Sequence, residues 1–308
     1  MGPQGELSEY TSCRLCPRRC GANRLAGETG ACGVPAQMYA GRAALHYWEE
    51  PCLSGTRGSG AVFFSGCALD CVYCQNREIS YAAKGCEITT EELVQTFFAL
   101  KEQGAHNINL VTASHYLPQV VSALQTAKRQ ELNIPVVYNT GGYDTVEALR
   151  CLEGLVDIYL PDFKYMDSAR AAKYSHAADY PEVARKALAE MVRQRPEPIF
   201  DEDGMMLSGV IVRHLLLPGG REDSLAVVRY LYETYGDSIY MSLMKQYTPL
   251  LHDGRYPELE RKLRRKEYDR VVEYALEIGV QNAYIQEGGT ARKSFIPAFD
   301  GTGLIREK

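Results

Sequence analysis

From about residue 60 onward the chain alternates short β-branched, apolar runs with stretches of helical periodicity, and nothing else in it constrains the fold as much. The runs are residues 61–65, 107–113, 135–140, 156–163, 209–217, 238–245 and 282–286. Between them Thr89-Thr-Glu-Glu92 and Asp144-Thr-Val-Glu147 read as capping boxes, and Asp179-Tyr-Pro181 puts a proline in the first turn of a helix. Strand, helix, strand at this regularity implies parallel pairing through right-handed crossovers, which leaves a barrel or an open doubly wound sheet. No internal repeat or low-complexity segment interrupts the pattern.

Directly after the first run comes Cys67-Ala-Leu-Asp-Cys71-Val-Tyr-Cys74. Three thiolates so spaced can hold three irons of a 4Fe-4S cluster and leave the fourth iron open. Open coordination positions are where substrates or cofactors bind in catalytic metal sites. The alternatives are a zinc site or unreactive buried thiols; a structural zinc normally takes four ligands, and this loop has three. Barrel-like folds carry their chemistry on loops that follow the C-terminal ends of strands, which is where this loop stands.

Residues 1–58 differ in kind. They are rich in glycine and arginine, weak in periodicity, and hold Cys13-x2-Cys16-x3-Cys20 followed by Cys32. The segment reads as a small metal-stapled module ahead of a core at 59–308. Gly21, Gly27, Gly30 and Gly33 let the chain wrap close to sulfur. Zinc and an auxiliary 4Fe-4S cluster both suit the four thiols. Cys52, Cys86 and Cys151 share no spacing, and Cys151 is expected in the core.

Composition narrows the partners. Hydrophobic content of 45% and charged content of 24% are those of a globular protein. A net charge of −5 argues against nucleic acid, which needs a concentrated basic surface; the densest basic run, 261–266, reads as a solvated face. No run approaches a membrane span, and the first residues lack the basic and apolar regions of a signal peptide. The expected location is therefore the cytoplasm, where ten cysteines mean metal or chemistry rather than disulfides.

The Cys-x3-Cys-x2-Cys loop with Tyr73 before its last cysteine resembles the cluster loop of radical S-adenosylmethionine (SAM) enzymes. Phe64-Ser-Gly-Cys67, Tyr73-Cys74-Gln-Asn76, Asn139-Thr-Gly-Gly142, Asp162-Phe-Lys164, and Val212-Arg213 with Leu217-Pro-Gly219 follow the order seen in pyruvate formate-lyase activating enzymes. The chain looks like a divergent branch of that family over roughly residues 60–250. The resemblance implies an α/β fold, a partial open (β/α)6 TIM-like barrel with the seventh strand as an extension. It also implies a 4Fe-4S cluster on Cys67, Cys71 and Cys74 whose open iron chelates SAM. Tyr73 then meets the adenine, ordinary packing being its other reading. Asp162 and Lys164, on one face by alternation, lie against the methionine and ribose end of SAM or form a structural ion pair. Arg213, inside an apolar strand, holds the SAM carboxylate or pairs with Asp162 across the barrel. His214 points to the other face as a packing residue.

Family members carry Gly-Gly-Glu after the second strand to bind the SAM ammonium. Here the place reads Val111-Thr-Ala-Ser-His-Tyr116 and Gly-Gly-Glu occurs nowhere in the chain. Thr112, Ser114 and neutral His115 are then the candidate acceptors. Asn139 stands where activating enzymes tend to have an aspartate, which removes a charge from a pocket that can hold a monovalent cation. The auxiliary clusters of some activating enzymes follow the cluster loop, so they give no precedent for Cys13, Cys16, Cys20 and Cys32. The implied activity is reductive cleavage of SAM to methionine and a 5′-deoxyadenosyl radical that abstracts hydrogen from a protein or peptide. A flavodoxin- or ferredoxin-type protein would donate the electron, with no membrane partner. The other readings are the same chemistry on a small molecule or RNA base, and a non-catalytic iron-sulfur electron carrier.

Overall fold

The computed structural model describes residues 8–250, 252–286 and 297–306. Its strands are β1 (Met38–His46), β2 (Ser59–Phe64), β3 (Cys86–Ile88), β4 (Ile108–Val111), β5 (Val136–Thr140), β6 (Ile158–Pro161), β7 (Ile199–Phe200), β8 (Met206–Leu215), β9 (Tyr240–Met244) and β10 (Ala283–Ile285). They form one sheet in the order β10-β9-β8-β6-β5-β4-β2-β1-β3, with β7 hairpinned onto β8. All pairings from β2 to β10 along this path are parallel; β1 pairs antiparallel with both β2 and β3. Among the described residues the two ends of the path are not hydrogen-bonded to each other, so the barrel is open.

The helices are α1 (Pro51–Ser54), α2 (Arg77–Ser80), α3 (Thr90–Glu102), α4 (Leu117–Arg129), α5 (Val146–Arg150), α6 (Ser168–Ser175), α7 (Tyr180–Gln194), α8 (Arg221–Tyr235) and α9 (Arg265–Glu277). Strand register sorts side chains between two faces. Val62, Leu110, Tyr138 and Tyr159 stand side by side on β2, β4, β5 and β6 and join the main apolar core with Leu93 and Phe97 of α3 and Val120 and Leu124 of α4. One residue further on, Phe63, Val111 and Asn139 are also in register, and they turn to the opposite face, where a cavity lies. The expected runs became strands, most of them rich in β-branched, aromatic or other large apolar residues and buried, with β10 at the edge only partly covered.

The N-terminal segment enters this sheet. Residues 38–46 of the expected module form β1, paired with β2 from Ala40↔Phe64 to His46↔Ser59, so the sheet runs across residue 58. Met-Tyr-Ala-Gly-Arg-Ala-Ala-Leu-His has no β-branched residue and breaks its ladder between Ala40 and Arg42, so no strand pattern announces it.

Helix starts were mostly legible. Thr89 Oγ1 accepts from Glu92 N–H while Glu92 Oε2 accepts from Thr89 N–H, a full capping box. At α5 the cap is Thr145, not Asp144. The Asp144 carboxylate is buried, accepting from Tyr138 OH (3.1 Å) and Thr140 Oγ1 (2.5 Å), and burial raises its pKa. Pro181 sits in the first turn of α7. Cys151, expected in the core, is exposed just past α5, with its thiol on Glu147 O. Among the described residues no helix is long and apolar enough to cross a membrane.

Candidate active site

A cavity of about 230 Å³ opens at the C-terminal ends of the parallel strands. Cys67, Cys71, Tyr73 and Cys74 reach it from the loop after β2, Asn139 from β5, Asp162 and Lys164 from the end of β6, and Arg213 from β8. Two glycines let the backbone close around it. A Cβ on Gly142 (φ +75°) would lie 2.1 Å from Asp162 O, and one on Gly66 (φ +89°) would lie 2.9 Å from Cys32 O.

The three thiols are held by polar neighbours. Leu69 N–H faces Cys67 sulfur and Asn76 N–H faces Cys74 sulfur. Ser175 Oγ stands 3.0 Å from Cys71 Sγ, and Ser80 Oγ 3.1 Å from Cys74 Sγ. A relay continues from Ser175 to Tyr165 OH (2.9 Å), which donates to Tyr73 OH (2.7 Å). Burial pushes the Cys71 thiol up to about 11 and raises Cys67 and Cys74 as well. In so apolar a place thiolates need a cation for company. Among the described residues no three His, Cys, Asp or Glu side chains are drawn in to metal-ligand geometry.

Opposite the thiols lies a charged cluster. Lys164 Nζ donates to Asp162 Oδ2 (2.5 Å), and Arg213 Nε lies 3.6 Å from Asp162 Oδ1. Asp162 and Arg213 are on neighbouring strands, bridged through their backbones, rather than across the barrel. Burial alone would pull the Lys164 ammonium down, but Asp162 and the nearby Cys71 hold it well above its ordinary range. The main partner of Arg213 is one the sequence did not suggest. Glu49, just past β1, accepts from Arg213 Nη1 (2.7 Å) and from Asn109 Nδ2 (2.9 Å), while Arg213 Nη2 donates to Asn139 Oδ1 (2.6 Å). Glu50 is buried beside them, its pKa raised by burial and restrained by Arg213. Arg213 Nε is buried without a hydrogen-bond partner. His46 and Trp48 from the same segment, and Gln246 after β9, complete the wall. The one signal for Glu49 was an acidic pair, Glu49-Glu50, in a stretch read as part of a metal module.

The expected second-strand acceptors lie elsewhere. Thr112, Ser114 and His115 do not line the cavity. Thr112 takes φ +61°, turning the chain away at the end of β4 while its N–H donates to Asn139 O. Ser114 is buried against the Tyr138 hydroxyl. His115 is 1% exposed, packs against the Tyr116 ring at a tilt of 51° (4.3 Å between centroids), and donates from Nε2 to Ser65 O (2.7 Å). Burial pulls its pKa down to about 3, so it is neutral, as expected, but turned toward the N-terminal segment. His214 is a packing residue on the far face: its Nδ1–H donates to Phe163 O (2.7 Å) and its Nε2 accepts from Ser224 Oγ (2.9 Å).

The residues present fit a three-thiolate cluster with SAM. There are three thiols for iron, two cations for a carboxylate, two carboxylates for an ammonium, an aromatic ring beside the thiols, and an unsatisfied guanidinium N–H.

Comparison with known proteins agrees on the fold. Residues 61–195 match the model of the Radical SAM superfamily. An uncharacterized protein of Methanocaldococcus jannaschii is 29% identical over 272 residues, covering 86% of this chain and 75% of that one. The crystal structure of Streptococcus suis SuiB bound to precursor peptide SuiA superposes with a TM-score of 0.50 at 12% identity, covering 70% of this chain and 46% of that one. A domain of pyruvate-formate lyase-activating enzyme from Bacteroides vulgatus gives a TM-score of 0.41 at 14% identity, over 56% of this chain and 92% of that one.

Proposed function

This chain belongs to the radical SAM superfamily, and on that premise we propose that it is a glycyl-radical-activase-like oxidoreductase acting on a protein or peptide. The observation that carries the reading is one cavity holding three loop thiols together with Asp162, Lys164, Arg213 and Glu49 at the C-terminal ends of parallel strands. When bound, the 4Fe-4S cluster and SAM supply one electron and a 5′-deoxyadenosyl radical that abstracts hydrogen from the substrate. Cys67, Cys71 and Cys74 hold the cluster. Lys164 and Arg213 receive the SAM carboxylate, and Asp162 and Glu49 offer acceptors to its ammonium, the role first sought at Thr112, Ser114 and His115. Tyr73 borders the adenine, and Asn139 orients Arg213. Leu69, Phe63, Val111, Leu215 and Met244 add apolar surface to the cavity, which limits water around a reactive radical.

A macromolecular substrate is supported by the motif order shared with activating enzymes and by the cavity's rim. Trp48, which lines the cavity, is 62% exposed, and an exposed aromatic side chain there suits a protein partner. The reading puts the chain in the cytoplasm with a flavodoxin- or ferredoxin-type electron donor.

Anaerobically reconstituted protein reduced with dithionite should cleave SAM to methionine and 5′-deoxyadenosine, and Cys71→Ala should abolish the reaction. Cleavage by that variant would refute the cluster assignment. A deuterated protein fraction should then speed turnover and leave deuterium in the 5′-deoxyadenosine. Transfer from a protein-free filtrate instead would move the substrate to small molecules.

A further inference from the structure

Arg24, in the N-terminal segment, is 0% exposed. Its guanidinium donates to Pro35 O from Nε (3.2 Å) and Nη2 (2.7 Å) and to His115 O from Nη1 (2.6 Å), and it lies over the rings of Tyr10 (4.3 Å) and Tyr116 (5.6 Å). Carbonyls and ring faces satisfy its N–H groups but do not balance its charge. Among the described residues no carboxylate pairs with it; the titratable groups around it are Cys32, Tyr10 and Cys13, with Cys13 Sγ 3.8 Å from Nη1. A buried cation without a counter-anion is costly.

The thiols around it are prepared for negative charge. Arg18 N–H faces Cys16 sulfur, Ala22 and Ala31 N–H face Cys20, and Val34 N–H faces Cys32, whose thiol also reaches Val34 O at 4.0 Å. Three of these cysteines thus face the N–H of the residue two places on, as Cys67 faces that of Leu69 and Cys74 that of Asn76. Gly30 provides the cradle: a Cβ there would lie 3.2 Å from Cys20 Sγ and 3.4 Å from Cys32 Sγ, crowding both.

We propose that Cys13, Cys16, Cys20 and Cys32 form a second, tetrathiolate metal centre with Arg24 as its buried counter-cation. Four thiolates around a divalent core leave a net dianion, and the guanidinium offsets half of it. Cys20, the exposed member, is the ligand able to swing onto the metal. A zinc ion and an auxiliary 4Fe-4S cluster present the same charge to Arg24. The centre also braces the catalytic loop. Cys32 O accepts from Cys67 N–H (3.2 Å), and Arg18 Nε donates to Ala68 O (2.9 Å), so a ligand of one site hydrogen-bonds directly to a ligand of the other.

The test uses the full chain with Cys67, Cys71 and Cys74 all changed to alanine, so that the remaining metal reports this centre whatever becomes of the SAM chemistry. Anaerobically purified, it should retain one zinc or about four irons per chain. Adding Cys20→Ser should remove that metal. Arg24→Gln should speed its loss to a chelator at least tenfold. Stripped protein titrated with cobalt(II) should show the visible bands of a tetrahedral tetrathiolate, a reading that does not depend on how the Cys20 variant folds. Protein without metal and without those bands, or metal indifferent to Cys20→Ser, would overturn the proposal.

Discussion

The Glu49–Arg213 pair gives the sharpest test of how the site is held. Its N–O distance is 2.7 Å, and the side chains are only 5% and 14% exposed. At an effective dielectric of about 20, unit charges some 4 Å apart attract by about 4 kcal/mol, much of it offset by desolvation. Glu49→Gln keeps the volume but removes the charge. Arg213 would retain Asp162 at 3.6 Å and Asn139 at 2.6 Å, so the loss falls short of the roughly 3–5 kcal/mol seen when a buried charge is orphaned. A charge-assisted hydrogen bond contributes about 1.5–3 kcal/mol, so about 2 kcal/mol is expected. Urea unfolding of the anaerobic apo-protein measures it, with Arg213→Met and the double variant closing the cycle. The coupling should be about 2 kcal/mol at unchanged m. A coupling under about 0.5 kcal/mol would mean that Glu49 merely lies beside Arg213, and would remove it from the cavity's charge balance.

Two further outcomes follow from local geometry. Gly142→Ala places a methyl group against Asp162 O at a positive φ; beyond the roughly 1–2 kcal/mol left-handed penalty the strand end must shift, so SAM binding and stability should both fall, and unchanged SAM affinity would separate Gly142 from the site. Burial pulls His214 from about 6.5 down to about 4, so the unfolded chain binds the extra proton first as pH drops. That contribution is intact above pH 6.5 and disappears as pH falls toward 4. It amounts to about 3 kcal/mol, and His214→Asn should flatten the pH dependence of unfolding by that much, leaving the parallel contribution of His115.

The parallel strands were legible because each is short, apolar and bounded by turn residues, and the cluster loop because three thiols at fixed spacing admit few chemistries. Asp162 and Lys164 could be placed together at a strand end, and Arg213 inside a strand on the face opposite His214, by counting alternation. Their partners could not. Asp162 and Arg213 meet because β6 and β8 are adjacent, although β7 intervenes in the chain. Thr112, Ser114 and His115 looked like ligands because they follow a strand, but the positive φ at Thr112 turns the chain so that His115 packs on Tyr116 instead.

By itself the sequence determined the parallel α/β architecture and the loop of three thiols, because periodicity and ligand spacing are local properties that survive without knowing the neighbours. Only the tertiary structure decided that the N-terminal segment is part of the same assembly. Pairing β1 with β2 carries Glu49 into the cavity, and folding the first cysteines back sets Cys32 against Cys67 and Arg24 among unpaired thiols. These contacts join residues far apart in the chain, and what selects them is the cost of burying charge and backbone without partners, a cost paid or avoided only once the whole fold is assembled.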